Sequence, residues 1–138
     1  MSDFMTQFVA LIVAAITYGT PLLFGTLGEV LTEKSGSLNL GVEGIMFMGG
    51  ALGLGGVYYY EKLSSSPNGF VAILVGIFFA FLAGAIASLI FSFLTITLRA
   101  NQNVTGLTLT IFGGGVANFF GGTLNSMAGG VGQISVAA

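Results

Sequence analysis

Two long uncharged runs, from Phe4 to Leu27 and from Phe70 to Leu98, dominate what this chain can fold into. As a helix rising 1.5 Å per residue, either run outreaches the roughly 30 Å hydrocarbon core of a bilayer. Only 6% of the 138 residues are charged, against about 25% in a soluble domain, so a polar surface cannot be assembled. The expected fold class is all-α, a polytopic transmembrane helical bundle. At about 20 residues per crossing, the length allows roughly four spans.

The same composition excludes several functions. Cysteine and histidine are both absent, which removes disulfides, a His-centred catalytic site and a Cys/His zinc cluster. The formal net charge is −2 and no basic run exists, so neither a nucleic-acid partner nor an electrostatic lipid anchor is expected. Met1-Ser2-Asp3-Phe4 lacks the basic start of a signal peptide, and the apolar run behind it is too long for one. It is expected to stay in the protein as a span.

Between the first run and the next lies Glu33-Lys34-Ser35-Gly36-Ser37-Leu38-Asn39-Leu40-Gly41-Val42-Glu43-Gly44, with three of the chain's eight charged side chains. Leu38, Leu40 and Val42 alternate with Asn39, Gly41 and Glu43, a period of two rather than 3.6. Gly36, Gly41 and Gly44 further disfavour a continuous helix. A broken or re-entrant segment is expected between spans 1 and 2. Irregular backbone at membrane depth persists only when buried in protein or lining a watery cavity, which points to a transport pathway.

The second span, about Ile45 to Tyr60, is short and rich in glycine. Its strongly apolar side chains supply only about −1.5 to −3 kcal/mol of insertion energy, which one acidic side chain at mid-bilayer, at about 2.5–3.5 kcal/mol, would cancel. Glu43 is therefore expected at an interface, in a polar cavity or against a protein partner, and the span is expected to be a packed inner helix. Tyr58, Tyr59 and Tyr60 form an aromatic belt, with Glu61 and Lys62 at the water boundary and a solvated loop over Ser64 to Gly69. In the third span, Phe70 to Leu98, Ala72, Gly76, Ala80, Gly84, Ser88 and Ser92 recur every four residues as a stripe for close helix packing.

Arg99-Ala100-Asn101-Gln102-Asn103-Val104-Thr105-Gly106 makes a second polar island before the fourth span, about Leu107 to Leu124. Asn103-Val104-Thr105 fits a glycosylation sequon, although an ordinary interfacial loop explains the island as well. The tail from Asn125 to Ala138 is expected to be flexible or re-entrant. No charge occurs beyond Arg99, and the chain is expected to be the N-terminal part of a longer polypeptide, a single transmembrane domain over 1–138 whose C-terminal half is missing.

Glu29, Glu33 and Glu43 do not make a convincing acidic catalytic or metal site, because the intervening residues are glycine-rich and no His is available. Gly41-x-x-Gly44 lacks the Lys-Ser/Thr of a phosphate loop, so the chain is not expected to bind ATP itself. Asn39 and Glu43 have two open roles: satisfying backbone groups where the helix breaks, or lining a permeation path and bonding a polar solute.

Glu33-Lys34-x-Gly36-x-x-Asn39-Leu40-Gly41-Val42-Glu43-Gly44-x-Met46, followed by Gly50-Ala51, resembles the N-terminal signature of permeases of the branched-chain amino acid/simple sugar/nucleoside ABC uptake family. It looks closest to the nucleoside and simple-sugar type that works with a basic-membrane-protein lipoprotein. Ala100-Asn101-Gln102 with Thr105-Gly106-Leu107 is similar to a second family segment, and departures fall at Asn103 and Thr110. The resemblance implies a non-enzymatic importer subunit in a bacterial-type plasma membrane, moving nucleosides or simple sugars by ATP-driven alternating access. It implies a second permease subunit, an ABC ATPase carrying ATP and Mg, and a substrate-binding lipoprotein, with membrane lipid around the spans. Under it, Asn39, Glu43 and Gln102 are expected as polar path or gate residues, and Phe47, Met48 and Phe112 as apolar gate neighbours. A passive channel or secondary carrier, or a non-transporting scaffold, is the alternative.

Overall fold

The computed structural model describes residues 2–127 and is all-α, with no strand among the described residues. Helix α1 covers Ser2–Lys34, α2 Val42–Leu63, α3 Gly69–Ser92 and α4 Gln102–Met127, with a π-helical turn, Phe93–Thr97, continuing α3. Three stretches are long and apolar enough to cross a bilayer: Asp3–Lys34, Gly69–Thr97 and Gln102–Met127. Helix α2 is long enough at 22 residues but is not among them, its glycines having displaced the apolar side chains. Of the expected tail, Asn125 to Met127 continue α4, and the remainder lies outside the described residues.

The chain divides into two compact units, one ending at Leu38 and one beginning at Asn39. The first is α1 with its C-terminal cap. Pro21 lies inside the helix, and Thr17, Thr20 and Thr26 each donate a hydroxyl hydrogen bond to the carbonyl one turn back, which keeps their polar atoms satisfied in an apolar setting. The helix runs further than the first span was expected to and stops at Gly36, whose φ of 82° is left-handed. There Ser37 N–H donates to the Thr32 carbonyl at 3.1 Å and Gly36 N–H to the Glu33 carbonyl at 2.9 Å, the paired bonds of a Schellman cap. Lys34 in the last turn complements the helix dipole.

The second unit is organised around α2, which packs against α3 along one face and α4 along another. Its buried positions are Gly44, Met48, Gly49, Gly53 and Gly56, recurring at helical spacing. Against α3 the approach is nearly backbone to backbone: a Cβ on Gly53 would stand 3.0 Å from the Gly76 carbonyl oxygen and 3.2 Å from the Ala80 Cβ. On Gly56 it would meet the Phe79 ring at 2.5 Å. Met48, Ala87, Phe91 and Leu109 close the core where the three helices meet, with Ile45 and Val116 against them.

The expected stripe on α3 coincides with this face only in part. Ala72 is buried, while Gly76, Ala80 and Gly84 approach Val57, Gly53 and Ile45 of α2. Ser88 is exposed and Ser92 half-buried, and the buried row continues instead through Ala83, Ala87 and Phe91. A strict four-residue repeat drifts by about 40° per step on a 3.6-residue helix, so by Ser88 it has rotated well away from where Ala72 points.

Gly113 and Gly115 separate packing from propensity. A Cβ on Gly113 would strike the carbonyl of Gly44 and stand 2.6 Å from its Cα, whereas nothing lies within 4 Å of one on Gly115. Gly113→Ala should destabilise by about 1–3 kcal/mol through overpacking against rigid backbone, and Gly115→Ala should be neutral or slightly stabilising. Thermal unfolding of the two purified variants in the same detergent checks the contrast; equal melting temperatures would refute it.

The docked break and the start of helix four

Glycine cap and helix start leave a short irregular connection, and its last three residues, Asn39 to Gly41, form the structural centre of the second unit. Asn39 is 6% exposed, one of the few buried polar side chains. Its Oδ1 accepts the Gly41 N–H at 2.9 Å, an Asx-type turn in which the side chain substitutes for a missing backbone acceptor. The Gly41 carbonyl begins α2 by accepting from Ile45 N–H at 3.0 Å. The Leu40 carbonyl accepts the Thr110 hydroxyl at 2.8 Å, a bond spanning 70 residues of sequence.

The first three turns of α4 are the surface on which this segment lies. A Cβ on Gly41 would meet Asn39 Oδ1 at 2.9 Å, Leu109 Cδ2 at 2.9 Å and the Gly106 carbonyl at 3.1 Å. One on Gly106 would stand 2.7 Å from the Leu40 nitrogen. One turn on, Gly44 faces the Leu109 carbonyl and, at 2.6 Å from its absent Cβ, the Thr110 Cα. Leu40 to Gly44, from the end of the first polar island, therefore lie directly on Gly106 to Thr110, where the second island runs into α4.

Several expected site residues take other places. Gly44 was expected in the break; it lies inside α2, where it is a crossing point with α4 rather than a helix breaker. Met48, expected as an apolar gate neighbour, is a buried core residue, 7% exposed. Glu43, in the first turn of α2, is exposed, as is Phe47 at 56%. Gln102 opens α4 and is half-buried. Phe112, also 56% exposed, walls a cleft of about 360 Å³ with Ile90, Leu94 and Thr108. Asn39 is thus held deep against α4, while Glu43, Phe47 and Phe112 face outward.

Asn101 is a residue that sequence reasoning missed. Its Oδ1 accepts the N–H groups of Asn103 at 3.0 Å and Val104 at 3.2 Å, capping α4. Asn68 does the same for α3, accepting Phe70 N–H at 2.9 Å. The available signal was an asparagine immediately ahead of an apolar helix. The turn into this cap is tight: Arg99 has a left-handed φ of 53°, and Ala100 N–H reaches back to the Leu94 carbonyl at 3.0 Å.

Removing each asparagine amide should separate a buried role from an exposed one. Asn39→Ala leaves the buried Gly41 N–H unsatisfied and should cost about 1–3 kcal/mol. Asn101→Ala removes an exposed helix cap and should cost about 1 kcal/mol. Unfolding midpoints of the purified variants test the order, and a larger loss for Asn101→Ala would reverse the assignment.

The family profile described as branched-chain amino acid transport system / permease component matches residues 11–138. TsgC13 of Haloferax volcanii, provisionally named a glucose ABC transporter permease protein, is 36% identical over 117 residues, which are 85% of this chain and 32% of that protein. The guanosine ABC transporter permease protein NupQ of Bacillus subtilis is 32% identical over 117 residues, 83% of this chain and 35% of its own length. The nucleoside ABC transporter permease protein NupC of Lactococcus lactis is 31% identical over 96 residues, 70% of this chain and 29% of its own. The chain thus spans about a third of the length of the curated relatives it matches. It has no significant match among solved structures. A multi-pass helical membrane protein in which both signature segments meet at one crossing, the chain belongs to the permease component family of the branched-chain amino acid transport system.

Proposed function

We propose that this chain is part of the membrane permease of an ABC importer for a small, polar, uncharged solute, a nucleoside or simple sugar. The observation that carries the proposal is the docked break: irregular backbone, Asn39 to Gly41, bonded through Asn39 and Thr110 against an apolar helical bundle. Transporters expose backbone polar groups to their solutes at such interruptions. The relatives named for glucose, guanosine and nucleoside transport support the same solute class. Hydroxyl-rich solutes match Asn, Gln and Thr chemistry better than they match rings of charge. The proposed partners are a second permease subunit, an ATPase that binds ATP and Mg, and a lipid-anchored solute-binding protein.

Uptake of labelled guanosine and labelled glucose should be measured in cells lacking the gene and in cells complemented with the full-length protein. Loss of one uptake in the deletion strain, restored by complementation and abolished by ATP depletion, is the expected result. Uptake that persists without ATP would indicate a passive channel or secondary carrier, and unchanged uptake of both solutes would overturn the proposal.

A further inference from the structure

Thr110 behaves unlike six other threonines of these helices. Thr17, Thr20, Thr26, Thr95, Thr108 and Thr123 each donate a hydroxyl hydrogen bond to the carbonyl four residues back in their own helix. Such a carbonyl already accepts an N–H from the next turn, so the hydroxyl is a second donor there and its loss leaves nothing unsatisfied. Thr110 instead donates at 2.8 Å to the Leu40 carbonyl, which lies outside any helix. That acceptor precedes Gly41, whose own N–H is held by Asn39 and whose carbonyl is held by Ile45. Thr110 is also flanked by the closest contacts of the unit. Leu109 meets both Gly41 and Gly44, and the Thr110 Cα itself stands where a Gly44 side chain would be.

We propose that Thr110 is a positioning residue: its hydroxyl fixes the Leu40 carbonyl, and with it the Asn39–Gly41 break, at one place on α4. Packing by glycines brings the two backbones together but supplies little direction, since contact between small groups tolerates sliding. A hydrogen bond of 2.8 Å to a single carbonyl does supply direction. The proposal rests on the reading that the break belongs to the solute path. If so, a break without its tether still permits the partner ATPase to cycle, because nucleotide is bound elsewhere, but presents the path in variable geometry. The signature is a fall in solute moved per ATP hydrolysed. Partial misfolding would lower transport and solute-dependent hydrolysis together and leave their ratio intact.

The test uses the full-length permease reconstituted in liposomes with its ATPase and solute-binding protein. Wild type, Thr110→Val, Thr110→Ser and Thr123→Val are compared for labelled guanosine or glucose uptake and for ATP hydrolysis. Thr110→Val should lower the transport-to-hydrolysis ratio about fivefold, the scale of one net hydrogen bond lost at a part-exposed position. Thr110→Ser should restore it, and Thr123→Val, whose hydroxyl serves only its own helix, should match wild type. Hydrogen exchange read by mass spectrometry should quicken in residues 37–44 of Thr110→Val and not in residues 53–63. Should Thr110→Val fail to accumulate, Thr110→Ala takes its place. A wild-type ratio with unchanged exchange in the variant lacking the hydroxyl overturns the proposal, and so does a Thr110→Ser variant as impaired as Thr110→Val. If wild type itself moves neither solute, it is the importer reading that fails, and the exchange experiment alone then decides whether Thr110 holds the break.

Discussion

A backbone group outside a helix needs a partner of its own, and the second unit is joined where this chain meets that constraint, at Asn39, Leu40 and Gly41. A continuous helix would satisfy its own N–H and carbonyl groups without outside help. Once Gly36 has ended α1, the chain must find partners until Val42 starts α2. Among them are one side chain of the segment itself, Asn39, which takes the Gly41 N–H, and one of α4, Thr110, which bonds the Leu40 carbonyl. Both are short and stiffly placed, and both act across contacts that only glycine permits. Gly41, Gly44, Gly106 and Gly113 are therefore the condition for the hydrogen bonds as much as for the packing.

The same economy explains helix α2. Lipid offers no hydrophobic drive for helices to associate, so close van der Waals contact has to do so. The small residues of α2 achieve that against α3 through Gly53, Gly76 and Ala80, and against α4 through Gly44 and Gly113. A helix so depleted in large apolar side chains is poorly suited to face lipid, and α2 makes the main packing contact with each of α3 and α4. Its weak hydropathy and its central place are thus two consequences of one composition. Large side chains on α3, such as Phe78, Phe81 and Leu89, remain outward, each more than half exposed.

Much of this was legible in the sequence because it depends on local composition. Uncharged runs gave the helices, and the alternating, glycine-bearing segment gave the break that the structure places at Ser35 to Gly41. What was not legible depends on rotation and on distance along the chain. A repeat of four does not track a 3.6-residue helix, so Ser88 leaves the contact face that Ala72 occupies. Gly44 has the same composition signal as Gly36, yet one forms a helix crossing and the other a left-handed cap. Gly36 is set by the hydrogen bonds that end α1, and Gly44 by the approach of α4 to α2. Met48 follows the same logic: period and hydropathy assign it to a helix, but not to the side that meets Ala87 and Leu109.

The pairing of the two islands joins segments that lie far apart in the chain. Asn39-Leu40-Gly41-Val42-Glu43-Gly44 and Asn101-Gln102 with Thr105-Gly106 are far apart in sequence, and neither alone forms a site. In the structure each supplies what the other lacks: the first has backbone groups without helical partners, and the second has a capped helix start with glycines and a hydroxyl at its third turn. A change on either side is felt on the other, since a Cβ on Gly106 would press on Leu40 and one on Gly44 on Leu109. Glu43 and Phe47 lie on exposed positions beside this joint and are not required for it. A substitution among the residues that hold the break in place, Asn39, Thr110 and the glycines around them, therefore reaches exposed Glu43 and Phe47 through the backbone that they share.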